Sequence, residues 1–195
     1  MESIQTVSDV QLLEESLEPL PEPVAEPVLI VVSGLPGTGK SYFCGKLAER
    51  LPLLVLESDT LRQKLFPMPS YTAEESAWLF QAIHQLIAGL LRRGISLALD
   101  ATNLSEQFRE RLYSIADRQK ARLIIVRVEA PPEIAYQRLQ ARVDKINPAD
   151  KSDADWQVYQ KMKSTVQKIQ RNHYAVDTSR DITPVLDKIV RAVKR

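Results

Sequence analysis

Residues 28–42 read VLIVVSGLPGTGKSY: five apolar residues, then three glycines, a lysine and a serine within eight positions. Val28–Val32 is short, largely β-branched and uninterrupted by polar residues, as a strand buried on both faces of a parallel sheet must be. The next eight residues, Gly34-Leu35-Pro36-Gly37-Thr38-Gly39-Lys40-Ser41, fit G-x-x-x-x-G-K-[ST]. SYFCGKLAERL (41–51) then reads as a helix stopped before Pro52. This strand–loop–helix setting is the one that gives the motif its meaning. Glycines let the chain turn so that successive N–H groups point inward at an anion, and the helix adds its positive end. Gly34, Pro36, Gly37, Thr38, Gly39, Lys40, Ser41 and Tyr42 are therefore expected to hold ATP. Lys40 is expected to reach the β- and γ-phosphates, and the Ser41 hydroxyl to ligate Mg²⁺.

Outward from this loop the chain alternates strand and helix patterns. LLVLES (53–58), ISLALD (95–100), ARLIIVRVE (121–129) and YAVDT (174–178) read as four further strands. Helical patterns separate them: TLRQKLF (60–66), 72–93 with a Thr72/Glu75 capping box, 105–120, PPEIAYQRLQARV (131–143) and 155–172. Thr183 and Pro184 are expected to cap and open a last helix. The expected architecture is α/β with three layers: a parallel five-stranded sheet, helices on both faces, and a small helical lid over about 138–155. DKINPADKSDAD (144–155) supplies the polar part of that lid.

Charge divides the chain unevenly. Residues 1–27 carry seven acids and no lysine or arginine, which leaves 26 basic and 18 acidic side chains in residues 28–195. A basic body suits a phosphate-rich ligand, or is simply a solvated surface. EPLPEPVAEP (18–27) favours an extended linker, and SDVQLLEESL (8–17) has a short helical pattern too weak to stand alone in water. Residues 1–27 are thus expected to form an acidic, Pro-rich, disordered tail, able to contact a partner or shield the basic body, with 28–195 as the folded domain. No apolar run approaches the roughly 20 residues of a membrane span. The N-terminus lacks a signal layout, and the single cysteine, Cys44, cannot form an internal disulfide. A cytoplasmic protein with no membrane contact is expected.

Two acids stand where parallel sheets bind ligands, beyond the carboxyl ends of strands. Asp59, in SDTLRQ (58–63), is placed to take the proton of an attacking hydroxyl or to cap the following helix, with Arg62 three residues on to steady the acceptor or a phosphate. Asp100 closes ISLALD and suits the Mg²⁺ shell. Thr102 and Asn103 read equally as ligand contacts or as a structural connection. Arg138 and Arg142 share a helix face, which reads either as a lid that closes over the phosphates or as a solvated surface.

GLPGTGKS (34–41), SDTLRQ, LDATNLS (99–105) and RLQAR (138–142) together resemble the P-loop kinases related to polynucleotide 5′-kinase, zeta toxin and chloramphenicol phosphotransferase. The resemblance runs from about Val28 to Val176. It implies a P-loop NTPase fold and ATP-dependent phosphotransfer. It also implies Asp59 as general base, Arg62 as its acceptor-binding partner, and Arg138 and Arg142 as lid arginines. In the polynucleotide kinase the second acid lies one position later than Asp100. The expected acceptor is a hydroxyl, on a small molecule or on a nucleic-acid 5′ end. The alternative class is an ATPase switch that works through a partner.

Overall fold

The computed structural model describes residues 2–17, 19–144 and 156–194. In chain order the elements are α1 (Glu2–Glu15), β1 (Val28–Ser33), α2 (Lys40–Ala48), β2 (Leu54–Glu57), α3 (Ser58–Leu65), α4 (Ala73–Arg92), β3 (Leu97–Asp100), α5 (Glu106–Arg118), β4 (Arg122–Glu129), α6 (Pro132–Asp144), α7 (Trp156–Lys163), β5 (Tyr174–Asp177) and α8 (Thr183–Val193). The strands form one parallel sheet in the order β2-β3-β1-β4-β5. Each crossover uses at least one helix, as parallel pairing demands.

β1 shows why the sheet is covered on both faces. Leu29 and Val31 enter a core with Leu56, Leu97 and Leu99 and with α1, α3, α4 and α5. Val28, Ile30 and Val32 point the other way, into a core with Phe43, Cys44 and Leu47 of α2 and Leu186 and Ile189 of α8. Successive side chains of a strand face opposite sides, so an unbroken apolar run is stable only between two helical layers. All six residues of β1 are buried.

The N-terminal segment departs from the expected tail. Residues of α1 pack on the domain: Leu13 is fully buried in the α3/α4 core, with Val10 and Leu17 against it. The Trp78 indole N–H donates to Asp9 Oδ2 at 2.7 Å, and Arg93 pairs with Glu14. Beyond α1 the chain runs extended, and the Val24 N–H donates to the Gly94 carbonyl at 2.8 Å. A short amphipathic helix too weak to persist alone is stabilised once its apolar stripe meets a packed surface.

Three local expectations are also corrected. The helix expected over 155–172 ends at Lys163, because the buried Arg109 guanidinium takes the carbonyls of Gln167 and Lys168 at 2.8 and 3.1 Å, and the Gln167 N–H goes to the Leu104 carbonyl. Those groups are therefore lost to any helix. Thr183 lies inside α8 rather than capping it: the N-cap is Ile182, which gives no side-chain cap, and Asp181 Oδ1 accepts the Thr183 N–H at 2.9 Å. At α4 the Thr72 hydroxyl accepts the Glu75 N–H, but the Glu75 carboxylate turns to Ser70, Tyr71 and Arg62. The expected lid falls largely on residues 145–155, outside the described residues. Among the described residues no helix is long and apolar enough to cross a membrane.

Candidate active site

Strand register assembles the site. Asp100, the last residue of β3, lies opposite Val32 of β1 and Glu57 of β2. Hence the loop after β1, the acid ending β3 and the helix carrying Asp59 all leave the sheet at one end.

The loop after β1 is a cradle that tolerates no side chain at its glycines. A Cβ on Gly34 would stand 2.4 Å from the Val128 carbonyl oxygen, and one on Gly37 would stand 2.8 Å from that of Ala135. Gly37 and Gly39 also sit at φ 75° and 87°, in the left-handed region. Gly39 is the N-cap of α2 and gives it no side-chain cap, and the first turn holds no acid. The N-terminus of α2 thus carries no N-cap side chain and no acid in its first turn, an arrangement that suits an anion. Pro36 and Thr38 are buried within the loop, and the Thr38 hydroxyl donates to the Leu35 carbonyl at 2.7 Å. The Lys40 ammonium donates to the same carbonyl at 3.2 Å. Ser41 and Tyr42 are exposed.

Thr102 and Asn103 brace this loop. The Thr102 carbonyl accepts the Gly34 N–H at 3.1 Å, and the Asn103 amide donates to the Val32 carbonyl at 2.7 Å. Both therefore have a structural role in holding the loop. Asn103 holds φ 45° to do so.

Asp100 is buried, and Asp59 is half-buried in the first turn of α3. One turn of α2 senses several of these charges together: burial pushes the Cys44 thiol up, Asp100 and Glu57 push it further, and Lys40 opposes them. Ser41 and Asp100 supply hard oxygen donors of the kind Mg²⁺ prefers, so the donor set fits that ion.

Arg138 and Arg62 are both engaged within the chain. Arg138 donates to the Thr178 hydroxyl at 2.8 Å and the Thr178 carbonyl at 3.0 Å, while the Thr178 hydroxyl donates to the Thr38 carbonyl at 2.6 Å. This ties α6 and the loop after β5 to the back of the cradle. Arg142 lies in the same helix, and its side chain is outside the described residues. Arg62 pairs with Glu75 in the α3–α4 turn, both side chains less than a tenth exposed.

Comparison with known proteins places this arrangement. A family model described as an AAA domain matches residues 29–169. The chain belongs to this AAA domain family. Solved structures share the fold of the AAA domain over nearly their whole length. The Mycobacterium tuberculosis APS kinase CysC, in complex with AMPPNP and APS, is similar with TM-score 0.65 and 17% identity, covering 89% of this chain and 100% of that one. A gluconokinase from Sinorhizobium meliloti gives 0.60 and 18%, with 86% and 96% covered. Chaetomium thermophilum Kti12, in complex with ADP-AlF3, gives 0.66 and 21%, with 83% and 96% covered. The five-stranded parallel sheet flanked by helices is thus the P-loop kinase fold.

Three contributors to the AAA domain's site escape sequence reading. Glu57 looks like an ordinary strand residue until register sets it beside Asp100. Arg109 looks like one charge among many on α5, yet it is fully buried and holds the 167–168 segment against the Asn103 connection. Glu75 reads as half of a capping box. Thr178, read only as the end of the YAVDT strand pattern, is the residue through which Arg138 meets the cradle.

Proposed function

We propose that this AAA domain is a kinase that transfers the γ-phosphate of ATP to a hydroxyl acceptor. The observation that carries the reading is the glycine-walled, side-chain-uncapped cradle at the β1 exit, flanked on the same sheet end by Asp100 and Asp59. Backbone N–H groups and Lys40 bind the phosphates and hold the terminal phosphorus in place. Positioning of this kind is the main protein contribution to phosphoryl transfer. Ser41 and Asp100 would hold Mg²⁺, which would neutralise phosphate charge. Asp59 orients the acceptor hydroxyl and takes its proton. Arg138 closes the back of the cradle through Thr178, and Arg142 is the second arginine that the resemblance assigns to the phosphates. The APS kinase and gluconokinase likenesses support small-molecule phosphotransfer. The resemblance to polynucleotide 5′-kinases keeps a nucleic-acid 5′ end as the second acceptor class.

The test is calorimetric binding of AMPPNP with and without Mg²⁺, followed by transfer from labelled ATP to a panel of metabolites and 5′-hydroxyl oligonucleotides. Magnesium-dependent binding and labelled product are expected. Asp59→Asn with undiminished transfer at saturating ATP would falsify the assignment of the base.

A further inference from the structure

We infer that the acceptor side of this site is built for an uncharged alcohol, such as a sugar, nucleoside or other polyol, because Arg62 is already neutralised within the fold. The inference deepens the kinase reading above and rests on it. The sequence places Arg62 to steady the acceptor or a phosphate. In the structure Nη1 of Arg62 donates to Glu75 Oε1, and Nη2 donates to the Ser76 hydroxyl at 3.2 Å. The Tyr71 ring covers the guanidinium, 4.8 Å from its carbon. Nε is buried and without a partner. The guanidinium charge is already met by the Glu75 carboxylate, so a phosphate would not find here the uncompensated charge that a free arginine offers.

Glu75 is equally committed. Its carboxylate accepts the Ser70 N–H at 2.6 Å, the Ser70 hydroxyl at 2.7 Å and the Tyr71 N–H at 3.2 Å. Burial alone would raise this carboxyl, but the hydrogen bonds from Ser70, Arg62 and Tyr71 outweigh it and hold it at about 2. Glu75 is therefore ionised wherever the protein works. An anionic acceptor brought to Arg62 has two options. It lies beside a carboxylate and is repelled, or it displaces Glu75, which strands a buried charge and frees the turn that Glu75 pins. A neutral hydroxyl meets neither penalty. Four of the chain's basic residues, Arg92, Arg93, Arg118 and Lys120, lie elsewhere, lining a cavity near the opposite ends of the strands beside Gly94 and Pro27.

The experiment follows the ¹⁵N–¹H signal of Arg62 Nε in the full chain, with AMPPNP and Mg²⁺ present, during titration with phenyl phosphate. No saturable shift is expected up to about 10 mM, the range of very weak binding. Glu75→Gln should create one, with affinity at least about tenfold higher. A saturable shift in the unaltered protein overturns the inference, as does a folded Glu75→Gln protein that gains nothing. If that variant does not fold, the unaltered titration decides alone. Labelled transfer gives a second arm: neutral alcohols should exceed 5′-hydroxyl oligonucleotides by about tenfold or more, and the reverse order overturns the proposal. Failure of AMPPNP to bind in the same sample would sink the kinase reading while leaving the Arg62 titration readable.

Discussion

The cradle after β1 and the turn after α3 both follow strand exits at one end of the sheet, yet they manage charge in opposite ways. In the cradle, Lys40 rests on a neutral backbone carbonyl, and the first N–H groups of α2 have no side-chain cap. A phosphate displaces such a contact at little cost. In the α3–α4 turn, Arg62 meets an ionised carboxylate that itself accepts three further hydrogen bonds. Little can displace that contact. The first region is poised for a polyanion and the second is closed to one, which is how one site can discriminate between a charged donor and a neutral acceptor.

The largest expected effect separates chemistry from nucleotide grip. Asp59→Asn should lower transfer about 10²–10⁴-fold and leave AMPPNP affinity unchanged. Parallel losses in turnover and in calorimetric affinity would mean that the two regions are not separable. Next in size, Lys40→Ala should weaken AMPPNP binding about 10–100-fold, the worth of one or two charge-assisted hydrogen bonds, without moving the melting midpoint. A large fall in that midpoint would show that Lys40 braces the fold as well.

On the acceptor side, Leu13→Ala should cost about 2–4 kcal/mol in denaturant unfolding, since the side chain is fully buried. A cost below about 1 kcal/mol would detach α1 from the helices that carry Asp59 and Glu75.

The smallest effect is a pH dependence. Burial, reinforced by Arg111, lowers the His84 imidazole to about 4 from the usual 6.5. The unfolded chain then binds the proton first as pH falls. Stability should therefore drop between pH 6.5 and 4, by about 2 kcal/mol, and this group adds nothing below that. His84→Gln should flatten the window in urea titrations at several pH values. Glu75 works lower down: its depressed carboxyl stabilises the fold above about 4.5, and that contribution is lost as pH falls toward 2.

Local order set what could be read from the chain directly. The apolar runs, the glycine spacing and the strand–helix alternation specified five strands in their observed places and the cradle with its lysine. The positions of Asp59 and Asp100 were legible for the same reason: Asp100 closes β3 and Asp59 stands two residues beyond β2. Backbone conformation of this kind depends on near neighbours. The pairings that tune the site span longer distances: Arg62 with Glu75 over 13 positions, Arg138 with Thr178 over 40, Arg109 with the Gln167 carbonyl over 58. Which cation meets which acceptor depends on where the chain returns in space, so packing of the helical layers alone decided that Arg62 is sealed, that α1 joins the core, and that Thr178 links the arginine helix to the cradle.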